Sequence, residues 1–411
     1  MSNSADLIPR VVISGVGGIT SLGVSASDHM RALTQGSANV TPSDELAIPF
    51  GYASSFDPKA FIKDRKSIRM MTSQVKLGMA AATLAFEDTG SGYTTDDSRR
   101  AVFFGACFTQ GVSASAQPYM SCSRPGEGVD YEKMGAESYR EYPPLWVLPR
   151  LPNTTGGQIA IQFGLRAISY SVVNGPAGGL LTLGEAYQAI QDDRIDLALV
   201  GATENEVYVD YLFRMSQHYP LALQKDQTGF IGGEGAAALV VERLDQAQAR
   251  DAKIYAEVLG YQNSYLANID NKDTDALTYE ISRALKGLLD NANLAAADID
   301  AVQITQCGIE FLDSAEARAV HQVFGSQPLI VSSTAYTGFT FGAASACSLM
   351  YACMQLEAQQ FAPVLNPSSI NVPLSLAGAE QARSPVNTLV CLHVDYLGNL
   401  CGVVLSKGEQ V

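Results

Sequence analysis

Short apolar runs alternate with segments of helical periodicity along the chain. RVVISG (residues 10–15) reads as a buried strand leading into a glycine-rich turn, and residues 76–89 carry helical spacing and good helix formers. RAVFFGAC (100–107) and SYSVVN (169–174) are β-rich. The second passes into a helical pattern over 177–190, and IDLALVG (195–201) reads as a strand again. A glycine cluster then opens a β-rich run over 229–243. Strands and helices in alternation are the mark of an α/β protein.

The second half repeats this order: a strand at 254–261, a helix at 275–292, strands at 300–304 and 329–332, a helix at 343–360 and a strand at 386–394. Two helix starts rich in small residues, AGGLLTLGEAYQAI and GAASACSLMYACMQL, fall at corresponding places. Small residues there mean a helix packed tightly, with its N-terminus buried. The expected organisation is two similar halves, 1–252 and 253–411. No linker rich in Ser or Pro separates them, so they form one unit.

Composition narrows the function. The 411 residues are 47% hydrophobic and 17% charged, which is globular, and the formal net charge is −15. That acidity argues against nucleic acid and anionic membrane as partners. The opening MSNSADLIPR lacks the layout of a signal peptide, and no apolar run reaches the roughly 18 residues of a membrane span. Seven cysteines without CxxC or CxxH spacing read as reduced, buried thiols of a cytoplasmic protein. None of the four histidines is spaced as a metal pair, and no cofactor is expected.

Five segments, in order, carry a resemblance. They are RVVISGVGGITSLG (10–23), NTTGGQIAIQFGL (153–165), TGFIGGEGAAALVVE (228–242), TGFTFGAAS (337–345) and DYLGNLCGVVL (395–405). Together they resemble the β-ketoacyl synthases of the thiolase superfamily over nearly the whole chain. The resemblance implies a thiolase-like five-layer αβαβα fold of two similar halves. It also implies a site made of one cysteine and two histidines. The cysteine sits at a helix N-terminus, where dipole and free amides lower its pKa.

None of those residues is where the resemblance would put it. Aligned on the helix that follows, the cysteine's position falls at Pro176, which offers neither nucleophile nor N–H. Aligned on Asp313 and Glu316, the first histidine falls at Thr305; the second falls at Phe339, and the usual lysine before it at Thr334. The expectation is therefore that the chain is no enzyme on its own. Cys307, close to Thr305, and His393, in a β-rich run, read as packing residues rather than catalytic ones.

The pattern resembles the chain length factors of bacterial type II polyketide synthases, ketosynthase-like subunits that pair with an active ketosynthase; PAGGLLTLGEA is similar to their QAGGLDAL-type segment. Most members carry glutamine where Pro176 stands. The resemblance implies three partners: an active ketosynthase subunit, an acyl carrier protein and the growing polyketide chain. It gives tunnel or interface lining to Cys107, Phe108, Thr109, Gln110, Val112, Ala116 and Met120, and pairing across the dimer axis to the strand Ser169, Tyr170, Ser171 and Val172. The basic run with Lys63, Arg65, Lys66 and Arg69 would dock an acidic carrier protein, or simply form a solvated helix face. Two other readings stay open, an autonomous enzyme using other residues and a carrier-binding scaffold without a tunnel.

Overall fold

The computed structural model describes residues 8–42, 47–90, 92–93, 95–106, 120–124, 126–137, 140, 151–205, 209–378 and 385–408. Eleven strands make the main sheet: β1 (Val11–Thr20), β2 (Arg100–Gly105), β3 (Ser169–Val172), β4 (Leu197–Glu204), β5 (Gly235–Arg243), β6 (Ala256–Tyr265), β7 (Ala301–Gln303), β8 (Leu329–Val331), β9 (Ser375–Leu376), β10 (Thr388–Val394) and β11 (Asn399–Lys407). Their spatial order is β9-β8-β7-β10-β11-β6-β1-β5-β4-β2-β3.

Outward from the β1–β6 junction the two halves have the same plan. β1-β5-β4-β2-β3 reads antiparallel, antiparallel, parallel, parallel, and so does β6-β11-β10-β7-β8. The internal duplication is thus real in topology although it is faint in sequence. β1 and β6 pair only over Val11–Ile13 and then diverge, so the two halves splay into separate layers.

Five helices complete the layers: α1 (Ser73–Asp88), α2 (Gly178–Gln191), α3 (Thr274–Ala292), α4 (Glu310–Phe324) and α5 (Ala344–Ala358). α1 covers the outer face of the first half-sheet, α3 and α4 that of the second, and α2 and α5 lie back to back between them. This is the thiolase-like αβαβα fold. The central pair explains the small residues at both helix starts. A Cβ on Gly179 would stand 2.3 Å from the Ala346 amide nitrogen, closer than any side chain can approach.

Two local expectations change. The glycine-rich stretch after RVVISG continues as strand to Thr20 instead of turning. Its glycines serve packing, since a Cβ on Gly17 would meet the Ala85 nitrogen of α1 at 2.3 Å. α1 begins at Ser73, earlier than its apolar spacing suggests, because the Thr72 hydroxyl caps it by accepting from Val75 N–H at 3.2 Å. Among the described residues no helix is long and apolar enough to cross a membrane.

Candidate functional site

Pro176 lies in a short 3-10 turn, Gly175–Ala177, that runs into α2. Gly175 has φ +60°, the left-handed region where glycine is at ease. The first amides of α2 have no partner within the helix. The fully buried Ser345, at the start of α5, supplies one. Its Oγ accepts from Gly179 N–H at 2.9 Å and Leu180 N–H at 3.2 Å, and donates to the Pro176 carbonyl at 2.7 Å. One hydroxyl from the second half thus closes the helix end that the first half presents to the site.

Thr305 lies in the loop between β7 and α4. Its hydroxyl accepts from Val394 N–H at 2.8 Å and donates to the Leu392 carbonyl at 3.4 Å, bridging two residues of β10. The residue between them, His393, stacks on Phe339, with centroids 6.2 Å apart and planes 21° apart. Its Nε2 lies 3.2 Å from Asp395 Oδ2, and both residues are buried. Asn399 donates to Asp395 Oδ2 at 2.9 Å and exchanges hydrogen bonds with Asn174 at 2.9 and 3.3 Å. β10 and the turn after it therefore gather Thr305, Phe339 and the Pro176 loop.

Aromatic rings fill the second-half side of that site. Phe339 is 1% exposed and packs against Phe230, Phe341 and Tyr396 at centroid distances of 5.5 to 6.0 Å. Tyr396 also pairs its hydroxyl with that of Tyr211 at 2.7 Å. A phenylalanine at position 339 gives this cluster its centre, where a histidine would need polar partners.

Two buried carboxylates hold the Thr305 loop. Glu316 accepts from Thr305 N–H at 2.8 Å and Gln306 N–H at 3.0 Å, while Asp313 accepts from Gly308 N–H at 3.0 Å and from the Cys307 thiol at 3.4 Å. Burial pushes Glu316 up to about 7 and Asp313 up to about 6, with the donated hydrogen bonds opposing it. Burial, with the Asp313 charge beside it, also drives the Cys307 thiol well above its ordinary value. It is a protonated packing residue, as its setting in the sequence suggests.

The other residues singled out from sequence fall apart in space. β3, with Ser169, Tyr170, Ser171 and Val172, is a sheet edge whose described pairing is to β2 alone; Tyr170 is 39% exposed. Lys63, Arg65, Lys66 and Arg69 are exposed, and none forms an ion pair with a described carboxylate. They do not share a helix face, because helix Pro58–Phe61 stops before them and only Arg69 lies in the 3-10 turn Ser67–Met70. Cys107, Phe108, Thr109, Gln110, Val112 and Ala116 lie outside the described residues; Met120 is described and exposed. Six described cysteines are free and buried, and the described residues contain no group of three or more His, Cys, Asp and Glu that could hold a metal.

Sequence reasoning overlooked Ser345, the His393–Asp395–Asn399–Asn174 chain and the clustering of the aromatics. Ser345 had a signal, as the one hydroxyl in GAAS at the second helix start. The others depend on contacts between residues up to 225 positions apart, which no local pattern displays.

Comparison with known proteins agrees with this architecture. Models of the β-ketoacyl synthase N-terminal and C-terminal domains match residues 9–247 and 255–368. A 3-oxoacyl-[acyl-carrier-protein] synthase 2 of Coxiella burnetii is 28% identical, over 97% of this chain and 98% of its own. A putative polyketide β-ketoacyl synthase 1 of Streptomyces cyaneus is 26% identical, over 87% and 88%. Among solved structures, a β-ketoacyl synthase from Burkholderia phymatum superposes with a TM-score of 0.82 at 22% identity, over 98% of this chain and all of its own. The ishigamide ketosynthase/chain length factor gives 0.80 at 23%, with the same coverage.

These relatives correct one expectation. The chain was expected to be no enzyme on its own, yet relatives that match it from end to end are named as synthases. The comparisons thus give no ground for setting this chain apart from the named synthases as a non-enzyme. Matched across both halves by the two domain models, it belongs to the β-ketoacyl synthase family.

Proposed function

We propose that this protein works as one subunit of a heterodimeric β-ketoacyl synthase in type II polyketide biosynthesis, of polyene or aromatic type, where it completes the tunnel for the growing chain and helps to set its length. The observation that carries the reading is the site. Pro176, Thr305 and Phe339 stand where the resemblance expects Cys, His and His, and each is built into its surroundings by hydrogen bonds or ring packing. A subunit so different from an ordinary ketosynthase pairs best with an unlike partner that carries those residues.

The exposed edge β3 supports the same reading, because an edge strand is a ready template for continuing a sheet into a second chain. Lys63, Arg65, Lys66 and Arg69 offer exposed positive charge, without an ion pair among the described residues, on an acidic protein, which suits an acidic acyl carrier protein. Solved structures with this fold include one titled a ketosynthase/chain length factor and one titled a type II acyl-carrier protein in complex with its ketosynthase. We assign the halves to 1–252 and 253–411, and the compartment to the cytoplasm, where buried thiols stay reduced.

The test is product length. The segment with Cys107, Phe108, Thr109, Gln110, Val112, Ala116 and Met120 is the proposed tunnel wall. Filling a packed tunnel costs about 1–3 kcal/mol, by analogy with an overpacked core, and about 1.4 kcal/mol shifts partitioning tenfold. Val112→Phe or Ala116→Trp, co-expressed with the partner ketosynthase, should shorten the product in an intact complex. Unchanged product length in both variants would refute the tunnel assignment and favour a carrier-binding scaffold.

A further inference from the structure

A cavity of about 330 Å³ opens between β1, the end of α1, the helix Ala26–Thr34 and α5, and none of Pro176, Thr305 and Phe339 lines it. Pockets for small organic ligands begin at about 300 Å³. Val16, Val24, Leu84, Met350 and Met354 make its interior apolar. The two methionines are 1% and 3% exposed, and their unbranched thioether chains give a wall that adapts to an occupant.

The mouth of the cavity is acidic. Glu87 and Asp88 line it, are exposed and close α1. The C-terminal end of a helix already carries partial negative charge and favours cations in its last turn, yet this turn holds none. Asp88 Oδ2 accepts from Val16 N–H at 2.9 Å, which fixes that carboxylate at the edge of the cavity. Neither acid forms an ion pair with a described residue, and no Lys or Arg lines the space.

A buried acceptor is an independent observation at the same place. His29 lines the cavity and is 1% exposed. Its Nε2 lies 2.9 Å from the Gly23 carbonyl, which can only accept, so Nε2 holds the proton. Burial holds the imidazole below its ordinary pKa, which leaves Nδ1 a bare acceptor. Tyr351 packs edge-on against the ring, with centroids 5.6 Å apart. Nδ1 has no hydrogen-bond partner among the described residues, and it is not sealed by protein atoms, so it borders the cavity. An acceptor within, carboxylates outside and hydrocarbon between them match an apolar body with a donor at each end. His29 and the two acids do not gather as metal ligands among the described residues.

We propose that this cavity binds a small organic amine with a short hydrocarbon body. Its ammonium group meets Glu87 and Asp88, its chain lies against Met350 and Met354, and a second donor, hydroxyl or amine, reaches His29 Nδ1. The inference is independent of the proposed function, because the cavity shares no lining residue with the Pro176 site.

The experiment titrates the full chain with straight-chain amino alcohols, from aminopropanol to aminohexanol, by calorimetry. At least one of them should bind saturably. The alkylamine of the same length lacks the second donor and should bind about tenfold more weakly, as the loss of one hydrogen bond to a buried acceptor predicts. The carboxylic acid of that length should not bind. Glu87→Gln with Asp88→Asn keeps an acceptor for Val16 N–H and should weaken binding about three- to tenfold. Met354→Trp fills the cavity and should abolish binding; should it fail to fold, the Glu87 and Asp88 variant, which alters only exposed side chains, still decides the matter. No saturable binding by any amino alcohol up to about 10 mM, equal binding of amino alcohol and alkylamine, or binding unchanged in the Glu87 and Asp88 variant would each overturn the proposal.

Discussion

Replacing Ser345 by alanine should destabilise the protein far more than the loss of one surface hydroxyl would. Ser345 is fully buried, and its Oγ makes three hydrogen bonds, to the Gly179 and Leu180 amides and the Pro176 carbonyl. Loss of a helix cap costs about 0.5–2 kcal/mol. Each buried polar group left without a partner costs about 1–3 kcal/mol, and the small methyl leaves little room for a replacement water. The cap loss already covers the two amides, so adding the Pro176 carbonyl gives about 1.5–5 kcal/mol, centred on about 2–4 kcal/mol. At the usual unfolding entropy of about 2 cal/mol/K per residue, a chain this long loses about 1 °C of Tm per kcal/mol, so a fall of about 2–5 °C is expected. Ser332 supplies the control. It is 2% exposed, but its hydroxyl has no hydrogen-bond partner, so Ser332→Ala should be neutral or slightly stabilising. Scanning calorimetry of the two variants makes the comparison at matched burial and identical chemistry. Equal melting temperatures for Ser345→Ala and Ser332→Ala would refute the claim that Ser345 joins the two halves at the helix start.

Three further outcomes follow from other parts of the structure. Arg250 pairs with Glu242 at 2.5 Å, with side chains 7% and 2% exposed, so Arg250→Met should cost about 3–5 kcal/mol in urea unfolding, and Glu242→Leu added to it should recover most of the loss. Glu316 and Asp313 titrate higher when folded, about 7 and 6, than their ordinary values of 4.5 and 3.8, so the folded state binds more protons. Their contribution is therefore fully present below about pH 4 and is lost as pH rises through 6 and 7; Glu316→Gln should flatten the decline measured between pH 4.5 and 7. Reversing Lys63, Arg65, Lys66 and Arg69 to glutamate should weaken acyl carrier protein binding by tenfold or more at low salt and much less at 0.5 M salt, read by titration calorimetry.

The layered fold was legible because its signals are local. Apolar runs mark β2, β4 and β10, and the small residues beginning α2 and α5 mark a tight central pair. The motifs around Pro176, Thr305 and Phe339 offered three positions, and the structure gathers Thr305 and Phe339 around His393. What escaped was set by contacts distant in sequence. Nothing near Asn174 announces Asn399, and His393 looks like any residue in a β-rich run until Phe339 lies against it. The glycines of β1 looked like a turn because their reason lies in Ala85, on a different element. The basic run suggested a helix face because charge spacing alone does not reveal that the Pro58–Phe61 helix ends at once.

Native mass is the most direct test of the proposed pairing. The chain, of 43.7 kDa, should be co-expressed with the active ketosynthase proposed as its partner and sized by light scattering after gel filtration. The account predicts a stable one-to-one complex of unlike subunits, burying above about 2,000 Å² as obligate interfaces do and dissociating when Tyr170 and Val172 on the edge strand are replaced by proline. A chain that stays monomeric, or pairs only with itself, in the presence of that ketosynthase would contradict it.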